Sequence, residues 1–181
     1  SPPAFTSTSS SLTHDIWTED TLLAMLKAFT HTEAFQDPST PQGKAFQWLH
    51  AAIGDLRGFS STRVQQRYAL ASIYYSLQNL PWKNTHGWLT KSHECSWHGV
   101  MCGDDGYSFK GEFNLDDLTE TVTYIDLSEN NIEGALSLDF NLFPMLAQLN
   151  LAENLITGSI PDGLFTRFKK LRKYTDLESN E

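Results

Sequence analysis

Apolar positions along the chain follow a helical period first and a strand period later. After Thr18, the residues Leu22, Leu23, Met25, Leu26 and Phe29 form one stripe, while Glu19 and Asp20 fall in a first turn whose unpaired N–H groups favour anions. A helix over 19–30 is predicted. Thr40 and Pro41 open a second pattern, in which Ala45, Phe46, Trp48, Leu49, Ala52 and Ile53 recur at helical spacing until Gly54. A third starts with Thr62-Arg-Val-Gln65, a capping-box spacing, and sets Val64, Tyr68, Ala71 and Tyr75 along one face. These three segments predict a small, aromatic-rich helical cap. Beyond Pro81 the texture changes to short apolar stretches broken by turn residues, and Asp104-Asp105-Gly106 has the chemistry of a hairpin turn.

From Val122 the sequence repeats itself. Val122-Thr-Tyr-Ile-Asp-Leu-Ser-Glu-Asn130 and Leu146-Ala-Gln-Leu-Asn-Leu-Ala-Glu-Asn154 both fit L-x-x-L-x-L-x-x-N at an interval of 24 residues. Asn131-Ile-Glu-Gly134 and Leu155-Ile-Thr-Gly158 follow as a second shared element. A third copy from Leu171 to Asn180 has slipped: Leu177 is in place, but Thr175 and Arg172 stand where apolar residues belong, and Asn180 lies 26 residues past Asn154. Self-similarity of this kind predicts a leucine-rich repeat coil, with the apolar strand positions turned into a shared core. Asn130, Asn154 and Asn180 then satisfy the backbone groups that the bend leaves unpaired. The expected fold class is α+β: a helical N-terminal cap followed by a right-handed α/β leucine-rich repeat solenoid, truncated at its C-terminal end. The expected division is a Ser/Thr/Pro-rich linker over 1–14, a capping domain over 15–102, a hairpin or connecting segment over 103–121, and two full and one partial repeats over 122–181. Because the last copy stops mid-repeat at Glu181, the chain reads as the N-terminal part of a longer array.

Composition narrows the function classes. The 181 residues, 40% apolar and 12% aromatic, suffice for one good core, and no run of about 18 apolar residues exists to span a membrane. Net charge is −9 and is unevenly placed. Residues 1–100 are neutral and hold all five tryptophans, whereas residues 101–181 carry the whole excess, relieved by a basic cluster at Arg167, Lys169, Lys170, Arg172 and Lys173. No nucleic-acid surface is expected from such a balance.

Two readings compete for the two cysteines: a disulfide, or a metal site built from His93, Cys95, His98 and Cys102. A Ser96, His98 and Asp104 triad lacks any nucleophile elbow, and there is no phosphate-cradling glycine loop or kinase signature, so the chain is expected to be noncatalytic, with no cofactor. Asp104, Asp105, Asp116 and Asp117 lack EF-hand spacing and read as solvated loop charge rather than a Ca²⁺ site. No glycosylation sequon is present.

The motif Cys95-x-Trp97-x-Gly99-Val100-x-Cys102, followed by Leu155-x-x-Gly158-x-Ile160-Pro161, resembles the N-terminal cap and repeats of plant-type leucine-rich repeat proteins. Pro41-Gln-Gly-Lys-Ala-Phe-Gln-Trp-Leu49 and Gln66-Arg-Tyr-Ala-Leu-Ala-Ser-Ile-Tyr-Tyr-Ser76 resemble the large set of such proteins in diatoms, and the resemblance covers about residues 38–181. It implies a Cys95–Cys102 disulfide and hence an oxidising compartment, extracellular or on the exterior face of the plasma membrane. It further implies a receptor-like ectodomain, with a membrane anchor and signalling parts elsewhere in the full-length protein.

In a repeat, residues alternating with the buried ones project onto one open sheet surface and stack in columns. Those columns are Tyr124, Gln148 and Tyr174; Asp126, Asn150 and Asp176; and Ser128, Ala152 and Glu178. They make a polar, acidic, tyrosine-bearing strip suited to a protein, peptide or glycan ligand, and to a basic one in particular. The expected function is a noncatalytic extracytoplasmic recognition module. The alternatives are a structural or assembly subunit that docks on a larger complex, and a metal-binding or hydrolytic site around residues 93–105.

Overall fold

The computed structural model describes residues 16–30, 33–103 and 120–164. Helix α1 (Glu19–Phe29) starts where Thr18 caps it: Thr18 Oγ1 accepts the Thr21 N–H at 3.2 Å and Thr21 Oγ1 accepts the Thr18 N–H at 2.8 Å. Helix α2 (Pro41–Ala51) is capped by Thr40 and ends before Gly54, because the chain tightens into a 3-10 turn over Ile53–Leu56. In helix α3 (Ser61–Ser76) the cap is Ser60, not Thr62; Ser60 Oγ accepts the Arg63 N–H at 3.2 Å. Gln65, assigned by spacing to a capping box, instead donates from Nε2 to the Leu142 carbonyl at 2.6 Å.

That last bond shows how α3 is used. Every residue from Val64 to Ile73 is buried, polar ones included, so the helix is a central spine rather than a surface helix with one apolar face. Gln65, Gln66, Arg67 and Ser72 survive burial because each has a partner on another segment, whereas the Tyr68 hydroxyl is buried without one. Gln66 brackets the start of the first repeat strand, donating to the Glu120 carbonyl at 3.0 Å and accepting the Val122 N–H at 2.8 Å. Ser72 Oγ donates to the Asp139 carboxylate at 2.7 Å, and Arg67 reaches Glu94.

The strands are short. β1 (Val100–Cys102) pairs antiparallel with β2 (Val122–Asp126), which pairs parallel with β4 (Gln148–Asn150); β3 (Glu133–Gly134) pairs parallel with β5 (Leu155–Ile156). One continuous core runs from Leu22 of α1 through Leu49, Tyr68 and Trp97 to Leu149 and Leu164. Each of the five indole N–H groups donates to a backbone carbonyl, and four of them pin the irregular stretch between α3 and β1: Trp82 to Leu77, Trp48 to Leu89, Trp97 to Ser92 and Trp88 to His98.

This architecture corrects the expected right-handed α/β leucine-rich repeat solenoid. The described residues form a small mixed α+β domain of three helices with a three-stranded and a two-stranded sheet. Two repeat units do lie side by side, but they do not build a regular coil. The first ladder is in 24-residue register (Tyr124 opposite Gln148), whereas the second is in 22-residue register (Glu133 opposite Leu155). No α-helix returns the chain between β3 and β4; a 3-10 turn at Leu138–Leu142 does so, with Phe140 and Leu142 buried in the shared core and Asp139 tied to α3. Among the described residues, the apolar side chains between the repeat strands pack against α3. The third copy, the basic cluster and the Asp104–Gly106 turn lie outside the described residues.

Candidate functional site

The outer face of the β1-β2-β4 sheet gathers what the repeats alternate with their core. Met101, Tyr124 and Gln148 sit opposite one another across the three strands, and Asp126 stands opposite Asn150 in the next row. Tyr124, Asp126, Ser128, Gln148 and Asn150 are all half-buried, and Met101 is 46% exposed, so the face presents a thioether and a phenol ring side by side. Tyr174, Asp176 and Glu178, the third member of each column, lie outside the described residues.

These side chains hold one another. Tyr124 donates its hydroxyl to Asp126 Oδ2 at 2.7 Å, while Asp126 Oδ1 accepts both the Ser128 N–H at 3.1 Å and the Ser128 hydroxyl at 2.7 Å. Burial pushes the Asp126 carboxyl up, but the Ser128 and Tyr124 donors outweigh it, and the net shift is downward. Burial, seconded by the hydrogen bond to Asp126, raises Tyr124 to about 12. Tyr124 therefore stays a neutral donor and Asp126 an anion over the physiological range. The sheet face is preorganised and negative.

β1 is what brings Met101 there, and the disulfide fixes β1. Cys95 and Cys102 are joined, with Cα atoms 5.4 Å apart. Within the loop they close, Gly99 (φ +77°) accepts the Asp126 N–H at 2.7 Å. A Cβ at that position would lie 1.9 Å from the Asp126 carbonyl oxygen, so only glycine lets the two backbones meet. With both thiols spent on each other, the quartet His93, Cys95, His98 and Cys102 is no zinc ligand set. Nor does the Ser96–His98 pairing form: Ser96 donates to the His93 carbonyl at 2.7 Å, and His98 Nδ1 faces the Asn84 amide at 3.1 Å. Asp104, Asp105, Asp116 and Asp117 are outside the described residues.

Asn130 and Asn154, both buried, form a ladder behind the sheet. Asn154 Oδ1 accepts the N–H groups of Asn130 (2.9 Å) and Ile132 (3.0 Å), and its Nδ2 donates to the carbonyls of Leu127, Leu151 and Ala152. One turn earlier, Asn130 Oδ1 accepts the Asn84 N–H at 2.7 Å and Nδ2 donates to the Asn84 carbonyl at 3.1 Å. Asn84 is thus the rung that joins the ladder to the helical part. Neither Asn84 nor Met101 is flagged by sequence pattern, since both lie ahead of the repeat and only the fold brings them to it. Asn180 lies outside the described residues.

The helical part holds a different polar centre. Glu94 is fully buried and binds Arg63 Nε at 3.0 Å and Arg67 Nη1 at 2.9 Å. Arg67 also donates to the Ser92 and Thr90 carbonyls, and its guanidinium lies 5.4 Å from the Trp48 ring centre and 5.2 Å from that of Trp97. Burial lowers the Arg67 pKa, against the pull of Glu94.

Among the described residues no helix is long and apolar enough to cross a membrane. Neither a family model nor a curated protein matches the chain. The formed disulfide is consistent with an oxidising compartment.

Proposed function

We propose that this chain is a noncatalytic recognition module of an extracytoplasmic protein, which binds a basic peptide segment of a partner across the β1-β2-β4 face. One observation carries the reading: the row Met101–Tyr124–Gln148 joins an exposed apolar side chain to a locked phenol, directly beside the Asp126 carboxylate. Charge supports it. Residues 120–164 contain seven acidic side chains and no Lys, Arg or His, and Glu129 and Glu153, three residues past Asp126 and Asn150, are exposed. The patch is small against the roughly 800 Å² that each partner contributes to a standard interface, which favours an extended peptide over a folded domain. Extracellular placement, including the outer face of the plasma membrane, rests on the disulfide and on the resemblance of Cys95–Cys102 to plant-type leucine-rich repeat caps.

Selection of displayed random peptides on the immobilised protein tests this. Enriched peptides are expected to carry Lys or Arg next to an apolar residue, and to weaken about tenfold or more on Tyr124→Ala or Met101→Ser, the loss typical of an anchor residue at a contact. Enrichment without basic residues, or peptides indifferent to both substitutions, would overturn the proposal.

A further inference from the structure

A second concave site lies in the helical part, away from the repeats in sequence and unlike them in charge. The end of α2 with its 3-10 turn and the loop Leu89–Lys91 enclose a cleft of about 540 Å³. Trp48, Ala52, Leu56, Phe59 and Leu89 supply its apolar walls. That volume is the size of a small-molecule pocket, and apolar walls with few polar groups are the usual lining of one.

Three further observations point to the ligand. The charged residues that line the cleft are two cations, Arg67 and Lys91, and one carboxylate, Asp55. Of the carboxylates nearby, Glu94 is buried and taken up by Arg63 and Arg67, and Asp55 is held by Lys91 at 3.0 Å in an exposed pair that opens at little cost. Arg67, lining the cleft from its buried side, keeps one N–H, at Nε, without an acceptor. The wall is also shaped against backbone preference. Leu89 adopts φ +56°, a left-handed conformation disfavoured for a branched side chain, and its carbonyl is held there by Trp48 Nε1 at 3.2 Å.

We propose that this cleft binds a small amphipathic carboxylate, its apolar body lying between Trp48, Leu56, Phe59 and Leu89 and its anionic group taken by Lys91. The site is independent of the sheet face and takes a free small molecule, not a peptide.

4-Phenylbutyrate and its neutral amide are suitable probes. The Trp48 indole N–H bonds to the cleft wall, so its amide-type cross-peak in a two-dimensional ¹H–¹⁵N spectrum of the whole chain reports occupancy. Titration with the carboxylate is expected to shift that peak with a dissociation constant in the millimolar range or tighter. The amide is expected to bind about fivefold more weakly, and Lys91→Met to erase the difference, as loss of one exposed charge contact would. Ala52→Phe, which fills the cleft, is expected to abolish the shift while the Trp82, Trp88 and Trp97 peaks stay in place. Three results would overturn the proposal: no shift up to about 20 mM probe, well past the affinity limit for so small a ligand, equal binding of acid and amide, or undiminished binding to Ala52→Phe. Peptide binding at the sheet face is untouched by Lys91→Met, so the two sites fail separately.

Discussion

The helical part and the repeat-bearing part meet the same difficulty with opposite chemistry. Each must bury polar groups where chain segments cross. Between α3 and the loop before β1, the answer is charge: Glu94 at 0% exposure with two arginines, one of them stacked among aromatic rings. Between the repeats the answer is neutral: Asn154 and Asn130, each using one amide to satisfy donors and acceptors at once. An ion pair gives a strong, directional tie but leaves an uncompensated charge if either partner goes. An amide carries a smaller desolvation penalty, and it suits a segment with no cation available.

The sharpest way to break this comparison is to remove its charged member. Glu94→Ala strands the buried Arg67 in the interior and is expected to cost about 4 kcal/mol of unfolding free energy, read from urea midpoints. Asn154→Ala orphans the N–H groups of Asn130 and Ile132 and takes a donor from three carbonyls, of which that of Ala152 keeps the Glu129 N–H, and is expected to cost about 3 kcal/mol by the same assay. If the asparagine proved the more damaging, the neutral ladder and not the ion pair would be the stronger tie. Opening the disulfide comes next. A Cys95→Ser/Cys102→Ser double variant frees a short loop and is expected to lose roughly 2.5 kcal/mol, checked by thermal denaturation with and without reductant.

Tyr124→Phe gives the smallest effect, about 1 kcal/mol for a single hydrogen bond, and a pH signature. Asp126 is more acidic folded than unfolded, so its contribution is present above the ordinary carboxylate value of 3.8 and is lost as pH falls through its lowered one. Tyr124 is less acidic folded, so its contribution is present below pH 10 and is lost as pH rises toward 12. The variant is expected to flatten the alkaline loss and weaken the acid one, in denaturation midpoints taken from pH 2 to 12.

How much of this was legible in the sequence follows from which physics is local. Thr18 and Thr40-Pro41 announce their helices, because a cap acts within one turn. Ser60 and Thr62, two positions apart, both offer a capping hydroxyl, and only the fold selects Ser60. The 24-residue interval marks β2 and β4 and their shared asparagines, because strand and bend are written in each copy. It does not dictate a solenoid. What lies between the motifs, Leu136 to Phe143, packs against α3, and nothing within a repeat says whether a helix or another repeat will cover it. The sheet-face residues read off directly from alternation, whereas Met101 joins them through β1, a strand outside the repeat. Glu94, Arg67 and the cleft were invisible for the same reason: their partners lie 23 to 31 residues away with no periodicity to link them.

The asparagine ladder also has a mechanical meaning. Each rung belongs to one turn of chain and grips the backbone of the turn before it, from Asn154 to the Asn130 turn and from Asn130 to Asn84. A pull that drags Leu164 away from Asn84 therefore loads the three bonds by which Asn154 crosses to the earlier turn, at Leu127, Asn130 and Ile132, together rather than one after another. Bonds loaded in parallel share the tension and let go at once, so the joint between the two repeat turns behaves as a brittle clasp: stiff under small forces, and released in a single short step.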